Sequence, residues 1–251
     1  MSPSTRWAAV DALERLPEEL PEARVVVGAE PGLAVELAEL APRTCVRAPG
    51  ATSRLAVAAG VARRGHPAIV LAERSDADLA TLEDPVVVLT EDVALAKAWH
   101  RLRRGALHPV WPEDVAALLH TALSRARPQL VLVGDVDVAP RPAQVPSPTI
   151  GQTRVHAEGG QGVVVAAGPL VPALRSALAA LARRGLALSL LEPVGTVPRR
   201  LDPAAARRGV LVGPDLPGEG DLATADLRYL ELRGSSLRDL PDRLAEALGR
   251  R

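Results

Sequence analysis

Residues 47–73 read RAPGATSRLAVAAGVARRGHPAIVLAE. A Pro-Gly turn leads into small and apolar residues that predict a helix over 53–64, and the run AIVL predicts a strand over 68–71. That run has no polar alternation, so the strand belongs in a parallel sheet covered on both faces. Turn, helix, turn and strand in succession are the unit from which an α/β fold is built.

The same alternation extends in both directions. On the N-terminal side, Thr5 can cap a helix over 6–16 carrying Trp7, Val10 and Leu13, with Pro17 and Pro21 expected to end it. A strand over 24–27, a helix over 33–40 and a strand over 44–47 follow. On the C-terminal side come a strand over 86–89, a helix over 91–99 and a helix over 112–126. The last starts at Pro112 and carries Glu113 and Asp114 at its positive end. A strand over 129–133 closes the unit.

Prolines at 140, 142, 146 and 148 recur without period and predict an extended linker. The pattern then restarts with a strand over 162–166 and a helix over 171–184 carrying Leu174, Leu178 and Leu181. Strands over 187–191, 209–212 and 227–232 and a helix over 240–248 complete it. The expected fold is α/β, with two consecutive three-layer parallel-sheet domains at 1–134 and 160–251 joined by the Pro-rich linker 135–159. No repeat of fixed period occurs.

The chain has 251 residues, 47% of them apolar, enough for a substantial core. Lys+Arg and Asp+Glu number 30 each, so no charge footprint for nucleic acid or an anionic membrane is present. Cys45 is the single cysteine and is read as a small hydrophobe. Asp11, Glu14, Glu18 and Glu19 do not suit a signal peptide, and no apolar run approaches the roughly 18 residues of a membrane helix. A cytoplasmic location is expected.

Familiar catalytic patterns are missing. The Gly-rich turns at 159–162 and 213–220 lack the GxGxxG spacing of a pyrophosphate loop, and no GxSxG elbow occurs. His66, His100, His108, His120 and His156 do not fall at metal-ligand spacing, and no Cys pair joins them. The pairs Glu91–Asp92 and Glu113–Asp114 each open a predicted helix, where a carboxylate stabilises the dipole by about 0.3–1 kcal/mol.

The order of the pieces resembles the pyrimidine-binding and C-terminal domains of the transketolase family, which includes deoxyxylulose-phosphate synthases and 2-oxo acid dehydrogenase beta subunits. RWAAVDALERLPEELPEARVVVGAE is similar to the family's first helix and strand, with Glu30 where an acidic residue is usual. RAPGATSRLAVAAGVARRGHPAIVLAE is similar to its AEQ-turn and AAG-helix stretch, with Ala58, Ala59, Gly60 and Gly65 in place. TEDVALAKAW, HPVWPEDVAALL and residues 162–200 resemble the next three pieces, so the likeness covers about residues 5–213.

The resemblance implies thiamine diphosphate chemistry, and the departures from it imply an incomplete site. The family's AEQ glutamate holds a proton on the cofactor's aminopyrimidine; counting back from Gly60 puts Ala51 there. Losing one general acid/base costs about 10²- to 10⁴-fold. The family's stacking ring also has no counterpart, since the chain has no Phe and Tyr229 lies in the second half. The family's diphosphate–Mg²⁺ motif belongs to a further domain, and this sequence contains no Asn that could supply its distant ligand.

The resemblance therefore implies the C-terminal subunit of a split transketolase-like transferase, inactive alone. A separately encoded subunit would bring the diphosphate-binding domain and Mg²⁺, in a dimer or heterotetramer acting on a sugar phosphate or 2-oxo acid. The alternative is a pseudoenzyme subunit that stabilises or regulates a complete enzyme. No catalytic residue is assigned. Contacts to a shared thiamine diphosphate are expected from Pro49, Gly50, Ala51, Thr52, Ser53 and Arg54, with Glu30 close by; Thr52 or Ser53 could meet a pyrimidine nitrogen or simply cap the helix.

Overall fold

The computed structural model describes residues 4–28, 39, 44–72, 79, 81–101, 106–195, 209–212, 227–230 and 239–249. The expected helix over 33–40 lies outside them apart from Glu39, as do Glu30 and the Gly-rich stretch 213–220. Residues 1–141 and 142–251 form two separate units.

In the first unit, α1 (Thr5–Glu19) is followed by β1 (Arg24–Val27), β2 (Cys45–Arg47), α2 (Ala51–Arg63) and β3 (Ala68–Leu71). Then come β4 (Val86–Thr90), α3 (Val93–Arg101), β5 (Ala106–Leu107), α4 (Pro112–Leu123) and β6 (Gln129–Leu132). The six strands pair in parallel in the order β2-β1-β3-β4-β6-β5. Every residue of β3 and β4 is buried, as the absence of polar alternation predicts.

Successive side chains of a strand point to opposite faces. Val26, Val70 and Val88 share one face with Leu55, Ala58 and Ala62 of α2 and Leu95, Ala96 and Trp99 of α3. The alanine face of α2 keeps that helix close to β1 and β3. On the helical side of the same unit, α4 packs on β4 and β6, and α1 packs on α4.

Two expectations at α1 are corrected. Ser4, not Thr5, is the cap: its Oγ accepts from Trp7 N at 3.3 Å, while Thr5 Oγ1 donates to Gly134 O at 3.1 Å and accepts from Gly134 N at 3.0 Å. Pro17 does not end the helix, which runs on to Glu19. A proline inside a helix costs about 3 kcal/mol through its missing N–H and its ring. Here Ala9, Val10, Leu13 and Leu16 are buried, and His120 of α4 pairs with Glu19 beyond the proline, holding the last turn down.

The strand β5 was not foreseen; two residues carry no period. It pairs with β6 at Ala106–Leu130 and Leu107–Val131.

In the second unit the elements are β7 (Thr153–Ala157), β8 (Val163–Ala166), α5 (Leu170–Arg183), β9 (Ser189–Pro193), β10 (Gly209–Val212), β11 (Leu227–Leu230) and α6 (Leu240–Gly249). The sheet order is β11-β10-β8-β9-β7. Four strands are parallel, but β7 runs antiparallel to β9, so this sheet is mixed where an all-parallel one was expected. β7 lies in the stretch read as an extended linker. Its polarity is inverted, with Arg154 at 4% exposure and Val155 at 48%, which hides the strand from an apolar-run reading.

Candidate functional site

In the first sheet β2 lies on one side of β1 and β3 on the other. Connections leaving β1 and β3 therefore diverge at their carboxyl ends, and in open α/β sheets ligands bind in the crevice that this reversal creates. The turn from β2 into α2 opens on the same carboxyl edge, one strand from the reversal. Sequence order alone does not place it there; strand order does.

Ala48 N donates to Val27 O at 3.0 Å and fastens the start of this turn to β1. Gly50 is the helix cap, in extended geometry at φ −122° and ψ 155°. Gly50 N donates to Ser53 Oγ at 3.0 Å, Ser53 Oγ donates back to Gly50 O at 2.8 Å, and Arg54 N donates to the same carbonyl at 2.9 Å. Ser53 has thus spent its one hydroxyl proton on its own helix start. Pro49, Gly50, Thr52 and Ser53 are exposed, Ala51 is half-buried, and Arg54 is 2% exposed.

The turn into α2 carries no acidic side chain. From Thr44 to Arg63 the chain carries Arg47, Arg54 and Arg63 and no Asp or Glu. Arg63 is held by Asp84, with Nε–Oδ1 at 3.0 Å and Nη2–Oδ2 at 2.9 Å. Burial pushes the Cys45 thiol up from its ordinary range, and the Arg47 charge pulls against that.

Rings are equally scarce. The tryptophans of residues 1–141 are Trp7, Trp99 and Trp111, and that stretch has no Phe or Tyr. Trp99 and Trp111 are each 1% exposed. Trp7 is 50% exposed on α1, and the Arg6 guanidinium lies 5.7 Å from its ring centroid.

Sequence reasoning missed a charged cluster in the second unit. Arg154 and Glu192 face each other across β7 and β9. Arg154 Nε lies 2.9 Å from Glu192 Oε2 and Nη2 lies 2.7 Å from Oε1, while His156 Nε2 lies 2.6 Å from Oε2. Arg154 Nη1 also donates to Pro146 O at 3.2 Å. The side chains of His156 and Glu192 are 0% and 2% exposed. His156 occupies the register shift between Val155 and Ala157, and such a bulge re-aims a side chain. The alternation Arg154-x-His156 was the available signal, but its inward positions are polar and do not read as an apolar strand. In the first unit, Arg6–Glu91 at 2.9 Å and Arg141–Asp114 at 2.8 Å are the comparable links.

A six-stranded parallel sheet with a strand-order reversal, followed by a smaller mixed sheet, defines an α/β protein whose candidate site lies at the carboxyl edge of the first sheet. No protein-family model matches the sequence, and no curated protein does. Solved structures match over the whole chain. A split-gene transketolase, described as an inactive beta4 tetramer, aligns at TM-score 0.81 and 17% identity over 99% of both chains. A transketolase variant from Pichia stipitis aligns at 0.74 and 12% identity over 99% of this chain but 46% of its own. The 2-oxoglutarate:ferredoxin oxidoreductase from Magnetococcus marinus aligns at 0.69 and 12% identity over 99% and 65%. The fold is that of the transketolases, and the chain spans about half of the Pichia enzyme's length.

No described helix is long and apolar enough to cross a membrane.

Proposed function

We propose that this chain is the C-terminal subunit of a split transketolase-like thiamine diphosphate enzyme, shaping the site of a partner that carries the diphosphate-binding domain. The observation that carries this reading is the alignment with a split-gene transketolase over 99% of both chains at TM-score 0.81, beside 46% of the Pichia enzyme. The resemblance assigns diphosphate and Mg²⁺ binding to a domain outside the part of the Pichia enzyme that this chain covers. The partner would be separately encoded and cytoplasmic, the assembly a dimer or heterotetramer, and the substrate a sugar phosphate or 2-oxo acid. Residues 49–54, and Glu30 nearby, would be this chain's contribution to the shared cleft.

The second reading is a pseudo-subunit that stabilises or regulates a complete enzyme. The acid-free start of α2 favours it. Isolation of the native complex, followed by thiamine diphosphate titration of the complex and of each separated chain, decides between them. Binding that needs both chains supports the split enzyme. Binding by the partner alone, unchanged when this chain is added, sinks it in favour of the pseudo-subunit.

A further inference from the structure

Granting the split-enzyme reading, on which this depends, we infer that this chain's half of the cleft is silent in cofactor activation. The first turn of α2 carries no carboxylate that could hold a proton on a pyrimidine nitrogen. Ala51 offers a methyl group, and Ser53 donates its hydroxyl proton to Gly50 O at 2.8 Å. The charged side chains between Thr44 and Arg63 are all guanidiniums. A nearby positive charge disfavours the protonated form of a ring nitrogen, whereas a carboxylate would favour it. Of these guanidiniums, Arg54 lies at the start of α2, while Arg63 lies at its far end, held by Asp84.

A stacking ring is not available either. Trp99 and Trp111 are buried in the first unit, and the Arg6 guanidinium lies over one face of Trp7 at 5.7 Å. A ring pair contributes about 0.5–1.5 kcal/mol beyond its buried area, so its loss weakens the hold on a pyrimidine as well as its activation. The described residues of this chain do not fit the activating half of a thiamine site. Any activation in the joint assembly would then come from a group outside the described residues of this chain.

The test uses the native complex loaded with thiamine diphosphate and Mg²⁺, and reads hydrogen–deuterium exchange at the thiazolium C2 by proton NMR, beside calorimetric cofactor binding. The expected wild-type result is exchange near the rate of the free cofactor. Ala51→Glu adds a carboxylate at a helix start that tolerates one, and should accelerate exchange by about 10²- to 10⁴-fold. Fast exchange in the wild-type complex that disappears when this chain is removed would overturn the inference while leaving the split-enzyme reading intact. Bound cofactor with exchange unchanged in Ala51→Glu would overturn the assignment of silence to position 51. A complex that binds no cofactor at all sinks the split-enzyme reading, and this inference with it.

Discussion

Replacing Glu192 by Gln keeps the side chain's shape and removes its charge from the most buried ionic cluster among the described residues of the second unit. Glu192 is 2% exposed and takes two bonds from Arg154 and one from His156. The neutral amide leaves the Arg154 guanidinium, itself 4% exposed, without its counter-charge. Breaking a buried pair from one side costs about 3–5 kcal/mol, because the remaining charge stays out of water. At about 4 °C per kcal/mol for a unit of this size, the second unit should melt roughly 12–20 °C lower. Scanning calorimetry gives the shift, and amide exchange along Thr153–Ala157 shows whether β7 detaches first. The triple change Arg154→Met, His156→Leu, Glu192→Leu removes every charge at once and should recover most of the loss, since well-packed apolar substitutes for buried pairs are often neutral. If Glu192→Gln melts within 2 °C of the wild type, or the triple variant is no better than the single one, the cluster is not held by charge compensation.

Three further outcomes are expected. A Cβ at Gly159 would lie 2.4 Å from the Ala187 carbonyl carbon, so Gly159→Ala should cost about 1–3 kcal/mol, whereas Gly160→Ala, with nothing within 4 Å, should fall within about 0.5 kcal/mol; urea denaturation of the pair separates overpacking from loss of glycine. Asp114→Asn deprives Arg141 of a fully buried carboxylate at 2.8 Å and should destabilise by about 1.5–3 kcal/mol, while the exposed neighbour Glu113→Gln should cost far less; equal effects would contradict the burial argument. Because burial raises the Cys45 thiol, less of it is thiolate at any given pH, and iodoacetamide should label it more slowly than free cysteine at pH 8; labelling as fast as free cysteine would refute that environment.

Much of the first unit was legible in residue order. Runs such as Ala68–Leu71 and Val86–Thr90 are apolar on both sides, and such a run is only stable between two layers, so its strand identity follows from composition. The turn at Pro49–Gly50 and the hydroxyl at Ser53 likewise declare a helix start, because their bonding is local. The absence of a carboxylate at that turn was also plain from the letters.

Elements set by distant partners were not legible. Pro17 stays helical because Leu16 before it is buried and Glu19 after it pairs with His120 of α4, about a hundred residues away. β7 was hidden because Arg154 points inward to a glutamate 38 residues on, reversing the polarity by which strands are recognised. The candidate site divides in the same way. Its residue types are a property of the chain, but its position beside the β1–β3 reversal arises only when β2 adds to the outer side of β1, since pairing between strands is decided by packing across the sheet and not by neighbours in sequence.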